Sequence, residues 1–174
     1  FLSEKTIDSF FGWFWRYLRR LDASYDCCVV AGQWLADRFA RQGLERIEVV
    51  PFGIQGGEFS PALRDETLRA SMLAACGLDS RATLLVTVGR HHPEKRVPML
   101  MRAVSMVPKE QPVGLYVIGD GLQHAKVCKL AAGLPHVHIA GAETDRMRLA
   151  RMMASADALF HGSTAETFGF VVAE

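Results

Sequence analysis

From residue 80 onward the chain alternates short apolar runs with segments whose apolar residues recur every three or four positions. "TLLVTVG" is a continuous β-rich run of the kind buried on both faces of a parallel sheet. "VPMLMRAVSMV" follows as a helix, with Pro98 in its first turn, where a missing N–H costs nothing. Next come strand "VGLYVIG", helix "LQHAKVCKLAAG", strand "HVHIAG", helix "DRMRLARMMASA" and strand "DALFHG", and "FGFVVAE" starts a further helix. Strand and helix alternating at this pace predict βαβ units, hence an α/β fold with a parallel, doubly wound, Rossmann-like sheet.

Before residue 80 the rhythm is looser. "DSFFGWFWRYLRRL" has helical spacing, with Phe10, Phe14, Tyr17 and Leu21 along one stripe and Arg16, Arg19 and Arg20 elsewhere. "YDCCVVA" has strand length, "QWLADRFARQGL" is a helix closed by Gly43, and "RIEVVPFGI" is another strand. The polar, Gly/Pro-bearing "QGGEFSPALRDE" is the best domain boundary. Residues 1–52 therefore read as the tail of one domain, 53–79 as a connector and 80–174 as part of a second domain.

Composition narrows the field. With 49% hydrophobic and 22% charged residues the chain is globular, and a net charge of +1 gives no reason to expect a nucleic-acid partner. Cys27, Cys28, Cys76 and Cys128 show no C-x-x-C spacing, so reduced thiols in a cytoplasmic protein are expected rather than a zinc site or a disulfide framework. No apolar run approaches the ~20 residues of a membrane span. The chain opens on Phe1 and closes on a helix just beginning, so a fragment of a longer protein is expected.

Ligands of open parallel sheets sit at the carboxyl ends of the strands. There, "TLLVTVGRHHPEKR" delivers Arg90 and Lys95 just before a helix, a good setting for a diphosphate and equally consistent with a solvated basic loop. "DALFHGSTAETFGFVVAE" delivers a small-residue loop, Glu166, and a helix starting near Phe168, whose free N–H groups would face a phosphate. From Phe168 to Glu174 a helix rises ~9 Å, roughly the separation of hexose and ribose in a nucleotide sugar. Two carboxylates, which only accept hydrogen bonds, would suit the hydroxyls at its two ends. Alone, each acid reads more simply as a capping or solvent-facing residue.

In combination, "PFGIQGGEFSP", "VGRHHPEKR", "VIGDG" and "ETFGFVVAE", in that order, resemble the group 1 glycosyltransferases (glycosyltransferase family 4) of the GT-B fold, from about Tyr25 to Glu174. The resemblance implies that residues 1–52 are the tail of an acceptor-side domain and that 80–174 bind a nucleotide sugar. It implies that Arg90 and Lys95, with backbone at Phe168 and Gly169, hold the donor diphosphate. Glu166, Thr167 and Phe168 would contact the transferred sugar, and Glu174, Phe170 and Val171 the ribose. Ala142, Glu143 and Arg148 fall where the family contacts the base. The catalytic set would be Glu166, Arg90 and Lys95.

The family is retaining and usually metal-independent, and no D-x-D pair ends a strand here. No metal or other cofactor is therefore expected, only a UDP-, GDP- or ADP-sugar as donor substrate. The implied activity is hexose transfer to a sugar or lipid acceptor in cell-envelope or polysaccharide synthesis, in the cytoplasm or at the inner face of the membrane. The family's acceptor site lies on a preceding domain, so the 174 residues alone are expected to be inactive. A nucleotide-sugar 2-epimerase and a non-catalytic nucleotide-sugar-binding module are rival readings.

Other features carry less. His91 and His92 read as loop positions, and His136 and His138 as two residues on one face of a strand, short of a zinc ligand set. His161 is an even choice between a structural and a ligand-facing role. "VIGDG" lacks the third glycine of a dinucleotide fingerprint and reads as a tight turn. The aromatic, Arg-bearing helix fits packing on a preceding domain better than a membrane surface, a preference that a lipid acceptor would reverse.

Overall fold

The structure is a computed structural model that describes residues 11–51, 53 and 58–163. The chain divides into two compact units, 1–53 and 54–174.

In the first unit, α1 (Gly12–Asp22), β1 (Cys28–Val30), α2 (Gln33–Arg41) and β2 (Ile47–Val49) form a βαβ unit with a preceding helix, β1 and β2 being parallel. Helix α1 carries apolar residues all round, and the buried one is Trp15, against Phe39 of α2 (ring centroids 6.0 Å apart). The predicted stripe through Phe14 and Tyr17 lies on the exposed side. Polar side chains tie the unit together: Arg19 donates to the Gln42 carbonyl (2.7 Å), and Asp22 accepts the Glu45 amide (3.0 Å).

The second unit holds α3 (Glu66–Ala75), β3 (Thr83–Val88), α4 (Val97–Ser105), β4 (Val113–Ile118), α5 (His124–Ala131), β5 (Val137–Gly141), α6 (Arg146–Ser155) and β6 (Ala158–Leu159). Its sheet is parallel throughout, in the order β5-β4-β3-β6. Strand alternation sends Leu84 and Val86 of β3 and Ile118 of β4 to one face, where Met72 and Leu73 of α3 and Met152 of α6 pack. Leu115 and Val117 of β4 face the other way, onto Leu100, Met101 and Val104 of α4 and Val127 of α5. Helices on both faces make the sheet doubly wound, and each fully buried Leu or Met contributes ~1.5–3 kcal/mol. The chain runs outward from β3 through β4 to β5, then crosses back to β6 on the other side of β3. That reversal opens a crevice at the carboxyl ends of β3 and β6.

Helix α3 corrects the sequence reading, which ran the connector to residue 79. Asp65 caps it by accepting the Leu68 amide (3.0 Å), and Met72 and Leu73 are core. The polar run before it and a charged residue inside its buried face disguised it. That residue, Arg69, is only 9% exposed. It donates to the carbonyls of Ser80 (3.0 Å) and Ala82 (2.8 Å) and to Asp157 (2.7 Å). Asp157 also accepts the Leu84 amide (2.8 Å) and a bond from Arg64 (3.2 Å), so one carboxylate clasps α3, β3 and the start of β6. The hydrogen bond from Arg69, with those from Leu84 and Arg64, holds the Asp157 carboxyl at about 2.

Candidate functional site

The strand ends are joined edge to edge by backbone bonds. Beyond β3, the Gly89 amide donates to the Ile118 carbonyl (3.0 Å) and the His91 amide to the Asp120 carbonyl (2.8 Å). The Gln123 amide returns a bond to the His91 carbonyl (2.8 Å), and the Gly119 amide reaches the Gly141 carbonyl at the end of β5 (2.7 Å). Such close backbone approach dictates the glycines of "VIGDG". A Cβ on Gly119, whose φ is +147°, would sit 1.9 Å from the Gly89 oxygen. The turn predicted from that motif is therefore also the buttress of the basic loop.

That loop closes with a helical turn at Pro93–Lys95 and a left-handed Arg96 (φ 51°) before α4 begins. Lys95 is half-buried, and its Cε lies 4.0 Å from where a Cβ on Gly89 would be. It lines a narrow cleft with Thr87, Gly89, Val97 and His161. From the opposite lip, Gly162 presses so close to α4 that a Cβ would meet Leu100 at 2.9 Å and the Lys95 carbonyl at 3.3 Å. The cleft thus lies at the carboxyl ends of β3 and β4, with Val117 and Ile118 in its floor, His161 beyond β6 beside it and the Lys95 side chain in its wall. Arg90, from the same loop, is exposed and forms no salt bridge among the described residues. Two cations beside a helix start suit an anion with several oxygens.

His91 is fully buried, a feature that its loop position did not disclose. Its ring stacks on His124 (centroids 5.1 Å apart), with the two Nδ1 atoms 3.1 Å apart. Burial, then the neighbouring His124, pushes the His91 pKa down, so it packs neutral. Only this tertiary pairing across 33 residues shows that the ring anchors the loop to the start of α5. His92 stays outside, 3.6 Å from Glu94. His136 faces the Cys76 carbonyl (3.2 Å) and His138 stacks on Tyr116, so both have packing partners.

Of the residues proposed for the base, Ala142 is exposed, and the Glu143 carboxylate accepts the Asp145 amide (2.9 Å) and pairs with Arg148 (3.3 Å). This loop follows β5, which pairs with β4, the strand that supplies Val117 and Ile118 to the cleft. His161 and Gly162 enter the cleft from β6, and Gly162 was not foreseen. Glu166, Thr167, Phe168, Gly169, Phe170, Val171 and Glu174 lie outside the described residues.

The profile of the family described as "Glycosyl transferases group 1" matches residues 82–174, more than half of the chain. The chain belongs to this family. Among curated relatives, the group 1 chain is 28% identical to a GDP-mannose-dependent alpha-(1-6)-phosphatidylinositol dimannoside mannosyltransferase of Mycobacterium tuberculosis, over 89% of its own length and 39% of the relative's. It is 30% identical to a D-inositol 3-phosphate glycosyltransferase of Xylanimonas cellulosilytica, over 75% of this chain and 33% of that one. The chain thus spans about two fifths of the length of the mycobacterial relative. Among solved structures, Anabaena HepE in complex with UDP-glucose matches with a TM-score of 0.67 at 20% identity, over 91% of this chain and 44% of that one. WaaG, a glycosyltransferase involved in lipopolysaccharide biosynthesis, matches with a TM-score of 0.63 at 23% identity, over 83% and 40%. These likenesses place the fold among glycosyltransferases.

Proposed function

We propose that this chain is the donor-binding part of a retaining glycosyltransferase that moves a hexose from a nucleotide diphosphate sugar to a sugar or lipid acceptor in cell-envelope glycan synthesis. The observation that carries the reading is Lys95 in the wall of the cleft at the strand ends, with Arg90 on the same loop, in a group 1 family chain. Transfer of the hexose leaves a nucleoside diphosphate carrying new negative charge. An ammonium and a guanidinium set on a backbone already fixed by Gly89, Gly119 and His91 stabilise that charge with little reorganisation. Glu166 would hold hydroxyls of the sugar, Glu174 those of the ribose, and Ala142, Glu143 and Arg148 would lie toward the base. No metal is required by this arrangement of cations.

The names of the relatives favour GDP-mannose as donor. No helix among the described residues is long and apolar enough to cross a membrane. Exposed Trp13, Tyr17 and Trp34 in the first unit, with Arg16, Arg19 and Arg20, would suit contact with the cytoplasmic face of a membrane carrying a lipid-linked acceptor.

The test is calorimetric titration of the full-length protein with GDP-mannose, UDP-glucose and ADP-glucose, alongside Lys95→Ala and Glu174→Ala. One nucleotide family should bind, with at least a tenfold loss in each variant. No binding of any donor by the folded protein refutes the reading.

A further inference from the structure

One cluster at the start of α5 lies outside the residues proposed above to hold the donor. Cys128 Sγ lies 3.3 Å from His124 Nε2, and on the other side of the imidazole His124 Nδ1 lies 3.2 Å from Asp120 Oδ1. Cys128 and His124 are one turn apart on α5, which aligns thiol and imidazole, and Asp120 approaches the other side of the ring from the turn that precedes the helix.

The proton positions follow from the neighbours. His124 Nδ1 also faces His91 Nδ1 at 3.1 Å, and at that distance only one of the two carries a hydrogen. The Asp120 carboxylate, 3.2 Å away, favours the proton on His124 Nδ1 by charge, so His124 donates and His91 accepts. His91 then holds its proton on Nε2, which is buried with no partner among the described residues. His124 consequently turns an unprotonated Nε2 toward the thiol, the state that accepts a thiol proton, and Asp120 compensates the charge formed. Cys128 is partly exposed, so a small reagent reaches it. The thiolate is the nucleophilic form of cysteine, and a neighbouring base that produces it sets the rate of reaction.

From this geometry we infer that Cys128, His124 and Asp120 form a reactive-thiol site, the preferred point of modification of this chain by small electrophiles and low-molecular-weight disulfides. With a disulfide, the Cys128 thiolate attacks one sulfur, the reagent's S–S bond breaks and a mixed disulfide forms. The departing thiolate takes the proton held by His124, so atoms and electrons balance without a further oxidant. The other cysteines lack this setting. Cys76 is buried and pushed up to about 11 by desolvation, and Cys27 is exposed without an imidazole partner among the described residues.

The site is tested by exposing the folded protein to limiting iodoacetamide, and separately to glutathione disulfide, and following each cysteine by peptide mass spectrometry. Cys128 should react at least tenfold faster than Cys27, although Cys27 is the more exposed. His124→Gln should remove that advantage and leave the Cys27 rate unchanged. Cys76 reports folding: where it labels in His124→Gln, the comparison passes to Asp120→Asn, which should slow Cys128 severalfold. Equal rates at Cys128 and Cys27, or a Cys128 rate unchanged in the folded variant, overturn the inference.

Discussion

Gly119→Ala probes whether the glycine buttress positions the cationic loop. The added methyl would lie 1.9 Å from the Gly89 oxygen and 2.9 Å from its carbonyl carbon, both backbone atoms of a strand end that cannot rotate away. At φ +147° an L-residue is itself strained, by ~1–3 kcal/mol. Forcing packed backbone apart adds ~1–3 kcal/mol, for a total of ~2–6 kcal/mol. In a unit of this size each kcal/mol lowers Tm by ~4–8 °C, so a fall of at least ~8 °C is expected. Gly133→Ala is the control, since its methyl would meet only the Leu130 oxygen at an ordinary 3.8 Å. Differential scanning calorimetry of both variants reads the stability, and titration with the nucleotide sugar that binds wild type reads the site. Because relief of the overlap displaces Gly89, and with it Arg90, affinity should fall at least tenfold below the melting transition. A Gly119→Ala protein as stable as Gly133→Ala would refute the close approach. Loss of stability with full affinity would refute the positioning argument.

The Arg69–Asp157 clasp makes a second prediction. With the Asp157 carboxyl lowered from 3.8 to about 2, its stabilisation is complete above about pH 4 and is lost as pH falls toward 2. Allowing for its partial exposure, that loss is ~1 kcal/mol, read as a drop in urea midpoint absent from Asp157→Asn. Arg69→Met at pH 7 should cost ~2–4 kcal/mol, because Asp157 and the Ser80 and Ala82 carbonyls lose a shared donor. His91→Leu removes the acceptor and stacking partner of His124 and should lower stability by ~1 kcal/mol by chemical denaturation at pH 7. Since the folded pKa of His91 is depressed, wild type loses stability as pH falls below ~6.5, and the variant should lose less. Arg90→Ala should weaken nucleotide-sugar binding severalfold and leave Tm within ~2 °C, because Arg90 is exposed and supports no core contact.

The elements most legible in the sequence were those whose period is set by burial on a known face. "TLLVTVG" became β3 and "VGLYVIG" β4 within a residue or two, since both are covered on both sides. Shorter strands were overread: "DALFHG" is in register with β3 at Ala158 and Leu159, with the flanking Asp157 and Phe160 amides bonded to it, and "RIEVVPFGI" is in register with β1 at Ile47–Val49. Helix α3 was hidden because Arg69 breaks its apolar face, and the compensating Asp157 lies 88 residues away. Arg90 and Lys95 were legible because a loop position after a strand suffices to place a cation at the sheet edge. His91 was not, because burial of a loop ring depends on His124, which the loop sequence cannot reveal.

The sheet order also bears on the sequence of events in folding. Strands β3, β4 and β5 are joined by successive local crossovers, whereas β6 returns to β3 late in the chain and holds it by two register pairs and the Asp157 carboxylate, which accepts the Leu84 amide 73 residues away. Contacts so distant in sequence carry the larger closure cost and form last. The same strand is then the first to release, in a subglobal opening that leaves β3–β5 paired. Backbone amides of Asp157 and Phe160, bonded to the Leu84 and Val86 carbonyls, should exchange with deuterium well before those within β4. The crevice is therefore the least cooperative part of the unit, and whatever fills it contributes to closing the fold.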